Sequence, residues 1–176
     1  MPLIKGSEQI EDRYMRIDDD SPLPDDRAIL IPAARFLADA RDIIARSGDI
    51  GVVWPNNRDI AELAPYLDRL SLVTLVFPAF KDGRAYSQAR TLRERYHFRG
   101  EIRAAGDVLR DQFLLMHRAG FDAFEVRKAA DADAFCEVLR RYNVFYQPAS
   151  DTEVSILRRR LGAGLRQNPT VAEFAQ

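Results

Sequence analysis

The sequence predicts an α/β protein with a mainly parallel sheet of five to six βα units, preceded by a short N-terminal β-hairpin. Three observations carry that expectation. Short apolar runs recur at residues 28–31, 50–54, 72–77, 101–105 and 122–126. The spacers between them, about ten to fifteen residues long, carry apolar side chains at helical rather than alternating spacing. Gly, Pro, Asn and Asp punctuate the joins. Strands separated by such spacers pair in parallel through right-handed crossovers.

The elements follow in order. Leu3–Ile4 and residues 13–17 are β-prone, with Lys5, Gly6 and Ser7 between them, and read as the hairpin or an edge extension. Asp18-Asp19-Asp20-Ser21-Pro22-Leu23-Pro24 breaks regular structure and serves as a linker. After the strand at 28–31, Phe36, Leu37, Ala40, Ile43 and Ile44 mark one helix that stops at Ser47-Gly48. After the strand at 50–54, Asn56 or Asn57 caps a helix bearing Ile60, Leu63, Leu67 and Leu70, which Pro65 kinks or splits in two. Residues 72–77 give the strongest strand signal. Ala89, Leu92 and Tyr96 mark the next helix, and Asp107 caps a helix carrying Leu109, Phe113 and Met116 that Gly120 closes. Asp131 caps a helix with Phe135 and Val138, and residues 143–146 add a last strand. Ser150-Asp151-Thr152-Glu153 is a capping-box pattern that opens a C-terminal helix, followed by a frayed tail. The domain division is therefore 1–148 for one α/β domain, with hairpin and linker in 1–24, and 149–176 for the helix and tail. Two architectures fit: an open sheet with helices on both faces, or a shortened TIM-barrel-like array, since a complete eight-unit barrel takes about 250 residues. In either, ligands collect at the carboxyl ends of the strands.

Composition narrows the chemistry. One cysteine, Cys136, and two histidines cannot supply an iron–sulfur cluster or an ordinary zinc site, so neither is expected. Cys136 itself reads as a structural thiol on a helix. The N-terminus has no signal-peptide apolar run, and no stretch approaches the roughly 18 apolar residues of a membrane span, which points to the cytoplasm. The net charge of −1 and the absence of a recognised motif argue against nucleic acid. The charge is uneven: residues 1–26 hold eight acidic and three basic side chains, and residues 81–103 hold seven basic and three acidic ones. The bland reading of both is solvated surface; the functional reading of the second is attraction of a small anion. Nucleotide-binding, zinc-protease and serine-hydrolase motifs are absent.

The loop after the strongest strand, Phe77-Pro78-Ala79-Phe80-Lys81-Asp82-Gly83-Arg84-Ala85-Tyr86-Ser87, is where a site is expected. Asp82-Gly83 makes a tight turn, Ser87 caps the following helix so that its amides face an anion, and Arg84 offers a forked donor. Arg90 lies one turn further on. Glu101 and Arg103 share one side of their strand, which implies an ion pair or a cavity lining. Asp107 borders the same strand end. The candidate oxyanion site is thus Asp82, Gly83, Arg84, Ser87, Arg90, Arg103 and Asp107. His97 and His117 read as surface residues with no acid–base role.

The run from Phe77 to Arg95, together with Gly100-Glu101-Ile102-Arg103-Ala104-Ala105-Gly106-Asp107-Val108-Leu109-Arg110-Asp111-Gln112 and Arg118-Ala119-Gly120-Phe121-Asp122-Ala123-Phe124, resembles the bacterial DUF934 proteins over about residues 3 to 147. That resemblance implies a place in assimilatory sulfite reduction, because such proteins are labelled oxidoreductases of that pathway and are associated with sulfite reductase. It assigns no catalytic residue. Ala119 stands where many relatives carry a cysteine, so a thiol mechanism at that position is unavailable. Two expectations follow: an oxidoreductase component holding a small oxyanion, with its cofactor unidentified, or a non-catalytic accessory that docks on sulfite reductase or its electron donor. Whether copies of the chain assemble with one another stays open.

Overall fold

A computed structural model of the chain describes residues 2–6, 8–19, 21–141, 145, 146, 149, 150, 156, 160 and 161. Strand β1 (Leu3–Lys5) turns through Gly6, at φ +60°, into β2 (Glu8–Ile10), and the two pair antiparallel. β3 is only Met15–Arg16. The five apolar runs then form β4 (Ile29–Pro32), β5 (Ile50–Trp54), β6 (Leu72–Phe77), β7 (Glu101–Gly106) and β8 (Ala123–Glu125). The α/β class and the mainly parallel sheet are as the sequence implies. The strand number is eight, not five or six, and the hairpin is built differently. Residues 13–17 do not pair with residues 3–4; β1 pairs with β2 and β8, while β3 pairs with β4. Strands this short are placed by tertiary partners, which no local pattern encodes.

The sheet order is β2-β1-β8-β7-β6-β5-β4-β3, so β4 to β8 lie side by side in chain order and all parallel. With no reversal of order, right-handed crossovers put every helix on one face. The burial agrees. Ile31, Val52, Trp54, Val73, Leu75, Ile102, Ala104 and Phe124 point to one side and pack with Phe36, Leu63, Ala89, Phe113, Met116 and Phe135 from the helical layer. Each fully buried Val, Leu, Ile, Phe or Met side chain among them contributes about 1.5–3 kcal/mol. The alternate residues point to the other, concave side, where Leu30 and Leu72 pack with Tyr14.

Chain continuity requires the sheet to curl. Eight strands about 4.8 Å apart would put β2 and β3 some 34 Å from each other if flat. Residues 10 and 15 are joined by five peptide links, which reach about 18 Å at most. The result is a curled half-barrel whose two edge strands are consecutive in the chain, with residues 11–14 as a strap between them. Of the two expected architectures, the sheet with helices on both faces is excluded.

The helical layer also departs from expectation. The helix expected through Phe36 and Ile44 is two short ones, α1 (Ala33–Ala38) and α2 (Ala40–Ile44). Residues Ile60–Arg69 wind as one 3₁₀ helix with Pro65 inside, instead of an α-helix kinked or split in two there. Its cap is Asp59, whose carboxylate accepts the Ala61 amide at 2.9 Å, not Asn56 or Asn57. Helix α3 (Arg84–Arg90) starts three residues before Ser87 and runs on into a π turn, Thr91–Arg95. After β7 a 3₁₀ turn (Arg110–Gln112) leads into α4 (Phe113–Arg118), and α5 is Ala129–Arg141. The expected strand at 143–146 and the C-terminal helix and tail lie wholly or largely outside the described residues. No described helix is long and apolar enough to cross a membrane.

Candidate functional site

The concave face carries a buried ionic cluster. Arg103, 1% exposed, stands on β7 beside Thr74 of β6 and Ala123 of β8. Its guanidinium donates to Asp12 at 2.7 and 3.1 Å, to Glu101 at 3.0 and 3.1 Å, and to Glu125 at 3.5 Å. Its planar head lies 5.6 Å from the ring centre of Tyr14. Lys5 also pairs with Glu101, and Arg16 with Glu125, so three cations face three carboxylates. Burial alone disfavours the Arg103 charge, but its hydrogen bonds and the field of Asp12 and Glu101 more than reverse that. Burial likewise pushes the Asp12 carboxyl up, yet the Arg103 bond and the Tyr14 amide hold it below the usual range. Asp12 and Tyr14 lie in the strap, where Tyr14 also donates its hydroxyl proton to Ser71 at 3.1 Å. The Glu101–Arg103 pattern is thus an ion pair, and the Asp12–Arg103 bonds, with Tyr14 on Ser71, tie the strap across the concave face.

The carboxyl-end loop is arranged around two carboxylates. Asp82 accepts both ends of the Arg84 fork, at 2.9 and 2.6 Å, and also the Arg84 amide at 3.3 Å. Those Arg84 bonds hold the Asp82 carboxyl well below its usual range, with the Asn56 amide as a lesser influence that falls short of hydrogen-bonding geometry. Asp107 does not cap a helix. Its carboxylate accepts the Phe80 amide at 2.9 Å and pairs with Arg127 at 3.3 Å. Gly106, at φ +92°, permits this: its chain continues so that the Asp107 amide donates to the Phe77 carbonyl at 2.7 Å. The loop is therefore pinned while Phe80 stays 48% exposed. Four buried polar atoms without a protein partner follow the ends of β5, β6 and β7: Asn56 Nδ2, Tyr86 Oη, Gln88 Oε1 and Gln112 Oε1. Burial, and secondarily the charge of Asp111, pushes the Tyr86 phenol up to about 12, so it stays protonated as a donor.

Of the seven expected anion-site residues, Asp82, Gly83, Arg84 and Asp107 gather at this loop. Ser87 is exposed on α3, where its carbonyl accepts the Thr91 hydroxyl. Arg90 is exposed and 3.7 Å from Glu94. Arg103 makes its contacts on the concave face, with Asp12, Tyr14, Glu101 and Glu125. Both Arg84 and Arg103 are thus already matched by carboxylates.

At the opposite, amino ends of β7 and β8 lies a cavity of about 380 Å³ lined by Arg93, His97, Arg99, His117 and Asp122 among others. Expectation placed chemistry at the carboxyl ends, and the cavity lies elsewhere. Arg93 forms its floor, donating to the carbonyls of Gly120 (3.0 Å), Phe98 (2.6 Å) and Gly100 (2.9 Å) and to the Asp122 carboxylate. Arg93 thus serves the carbonyls around its helix end. Both histidines of the chain border this cavity.

A family model described as a bacterial protein of unknown function, DUF934, matches residues 51–157, well over half of the chain. The chain belongs to the DUF934 family. The match begins within β5, so the family region holds Arg84, Arg93, Arg103, Asp107 and Glu125, while the strap residues Asp12 and Tyr14 and Arg16 of β3 precede it. All three sequence runs that carry the resemblance lie inside it. Among curated proteins, none matches this DUF934 chain.

Proposed function

We propose that this DUF934 protein is a non-catalytic accessory of sulfite reduction that docks, through the Phe80 loop, on sulfite reductase or its electron donor. The pathway rests on what the family resemblance implies; the docking role rests on the loop. The observation that carries it is Phe80, about half exposed yet fixed through its own amide to Asp107. An aromatic presented on a pinned loop adds contact area at low ordering cost. Exposed Lys81 precedes the Asp82–Arg84 pair, and Arg127 and Lys128 are exposed beyond Asp107, so the rim suits an acidic partner. With Arg84 and Arg103 already neutralised by carboxylates, docking fits the loop better than independent redox chemistry. In a titration with purified sulfite reductase and with its electron donor at low salt, Phe80→Ala is expected to cost about 2 kcal/mol, close to thirtyfold in Kd. Lys81→Glu is expected to slow association and flatten its salt dependence. Wild-type affinity in Phe80→Ala, or no complex with either protein, would sink the docking role.

The second reading is an oxidoreductase component with a small oxyanion at the same loop, favoured by the unpartnered buried donors Asn56 Nδ2 and Tyr86 Oη. Its expected signature is a flavin or haem absorbance in the purified protein, and sulfite binding that weakens at least about tenfold in Arg84→Ala. A colourless protein with unchanged sulfite affinity in that variant removes this reading.

A further inference from the structure

We infer that the cavity at the amino ends of β7 and β8 is a binding site for a small dianionic oxyanion, held by Arg99, His97 and His117. The site lies on different elements from the Phe80 loop and goes beyond the docking role.

Three features build it. The first is the floor. Arg93 passes beneath Gly120, where a Cβ would come 2.7 Å from the Arg93 Cγ, and Gly120 also sits at φ +104°. With its donors committed to three carbonyls and its charge balanced by Asp122, Arg93 is scaffold. The second is the rim. Arg99 is exposed and pairs with no described carboxylate, and it borders the same space as both imidazoles. The third is the placement of His97. The π turn Thr91–Arg95 closes with the Tyr96 amide on the Thr91 carbonyl and the Phe98 amide on the Leu92 carbonyl. That closure puts His97 at φ 52°, a left-handed conformation that a non-glycine residue adopts at a cost. Glycine is the usual residue there; a histidine in its place puts an imidazole on the rim.

The charges around the cavity favour an anion over a cation. Of the charged side chains that line it, the helix side contributes Arg93, the segment before β7 Arg99 and the segment before β8 Asp122; Glu94 reaches its edge through Ser150, and Arg118 lies beside it over the Phe145 ring, 4.2 Å from the centre. Asp122 is matched by Arg93. Glu94 is occupied by Arg90 and by the Ser150 hydroxyl, which donates to it at 2.6 Å. No three His, Cys, Asp or Glu side chains converge as metal ligands among the described residues. A tetrahedral oxyanion accepts hydrogen bonds from a guanidinium and two imidazole rings without displacing any existing pair.

Sulfate is the probe, since it is a dianion at neutral pH. Titrated into the full chain and followed by the two histidine ring resonances, sulfate is expected to shift both saturably. Arg99→Ala should weaken sulfate binding by about tenfold or more. His97→Gly, which suits the left-handed turn, should weaken it while the melting temperature does not drop. Arg41→Ala, exposed on α2 and outside the cavity lining, should bind sulfate as the wild type does. No saturable shift, or equal losses in Arg41→Ala and Arg99→Ala, would overturn the assignment. None of these outcomes bears on docking through Phe80.

Discussion

Arg103→Ala is expected to destabilise the protein by about 3 kcal/mol, the figure for removing one partner of a buried ion pair. Substitution leaves Asp12, Glu101 and Glu125 facing one another with only Lys5 and Arg16 to balance them. The single tryptophan, Trp54, is fully buried on β5 and reports unfolding by fluorescence. For an m-value near 2 kcal/mol per M of urea, the midpoint should fall by about 1.5 M. A midpoint unchanged within error would mean that the cluster does not hold the strap. The pH dependence has a definite sign. The folded Asp12 carboxyl lies below its usual value, so its contribution is fully present above about pH 4 and is lost as pH falls through the folded value. Acid should therefore release the strap in the wild type and change Arg103→Ala less.

Gly106→Ala should cost a similar amount, about 3 kcal/mol, for a different reason: a strained backbone combined with a steric overlap. At φ +92° an added Cβ would sit 2.4 Å from the Phe77 carbonyl oxygen, which already accepts the Asp107 amide. Backbone cannot swing aside as a side chain can, so the end of β7 must move from β6. That movement takes the Asp107 carboxylate away from the Phe80 amide and frees the loop. The variant should therefore show both a lowered urea midpoint and weakened partner binding. Full docking affinity in a destabilised Gly106→Ala would separate the loop's order from its function and count against the docking surface.

What the sequence made legible follows from how locally each feature is determined. The strands at 50–54 and 72–77 are continuous apolar runs because the helical layer covers one face and the packing around Tyr14 covers the other. The Glu101–Arg103 alternation was readable as a pair because period two puts both on one face. The partners that complete the pair, Asp12 and Glu125, come from distant parts of the chain, and spacing gives no hint of them. Asp107 looked like a helix cap because it precedes an apolar helical pattern, but the left-handed Gly106 turns it toward Phe80 instead. His97 and His117 looked like unrelated surface residues. Only the packing of the helix end against the start of β8 brings them to one cavity. One signal was available: Gly120 follows the α4 pattern with Phe121-Asp122, and a glycine there leaves room for a long side chain such as Arg93.

The curl that makes β2 and β3 consecutive also sets an order of events. β1 is made first, yet its partner β8 is the last strand of the sheet to be made, with Leu3 opposite Glu125. Neighbouring β4 to β8 need only short loops to find one another, whereas the pairing of β1 must close nearly the whole described sheet into a single loop. Such long-range pairing comes slowly, and until it forms the N-terminal hairpin and the edge of β8 are open to pairing with other chains. The acidic excess of residues 1–26 then acquires a role in the unfinished molecule: like charges on the waiting segment keep two such chains apart.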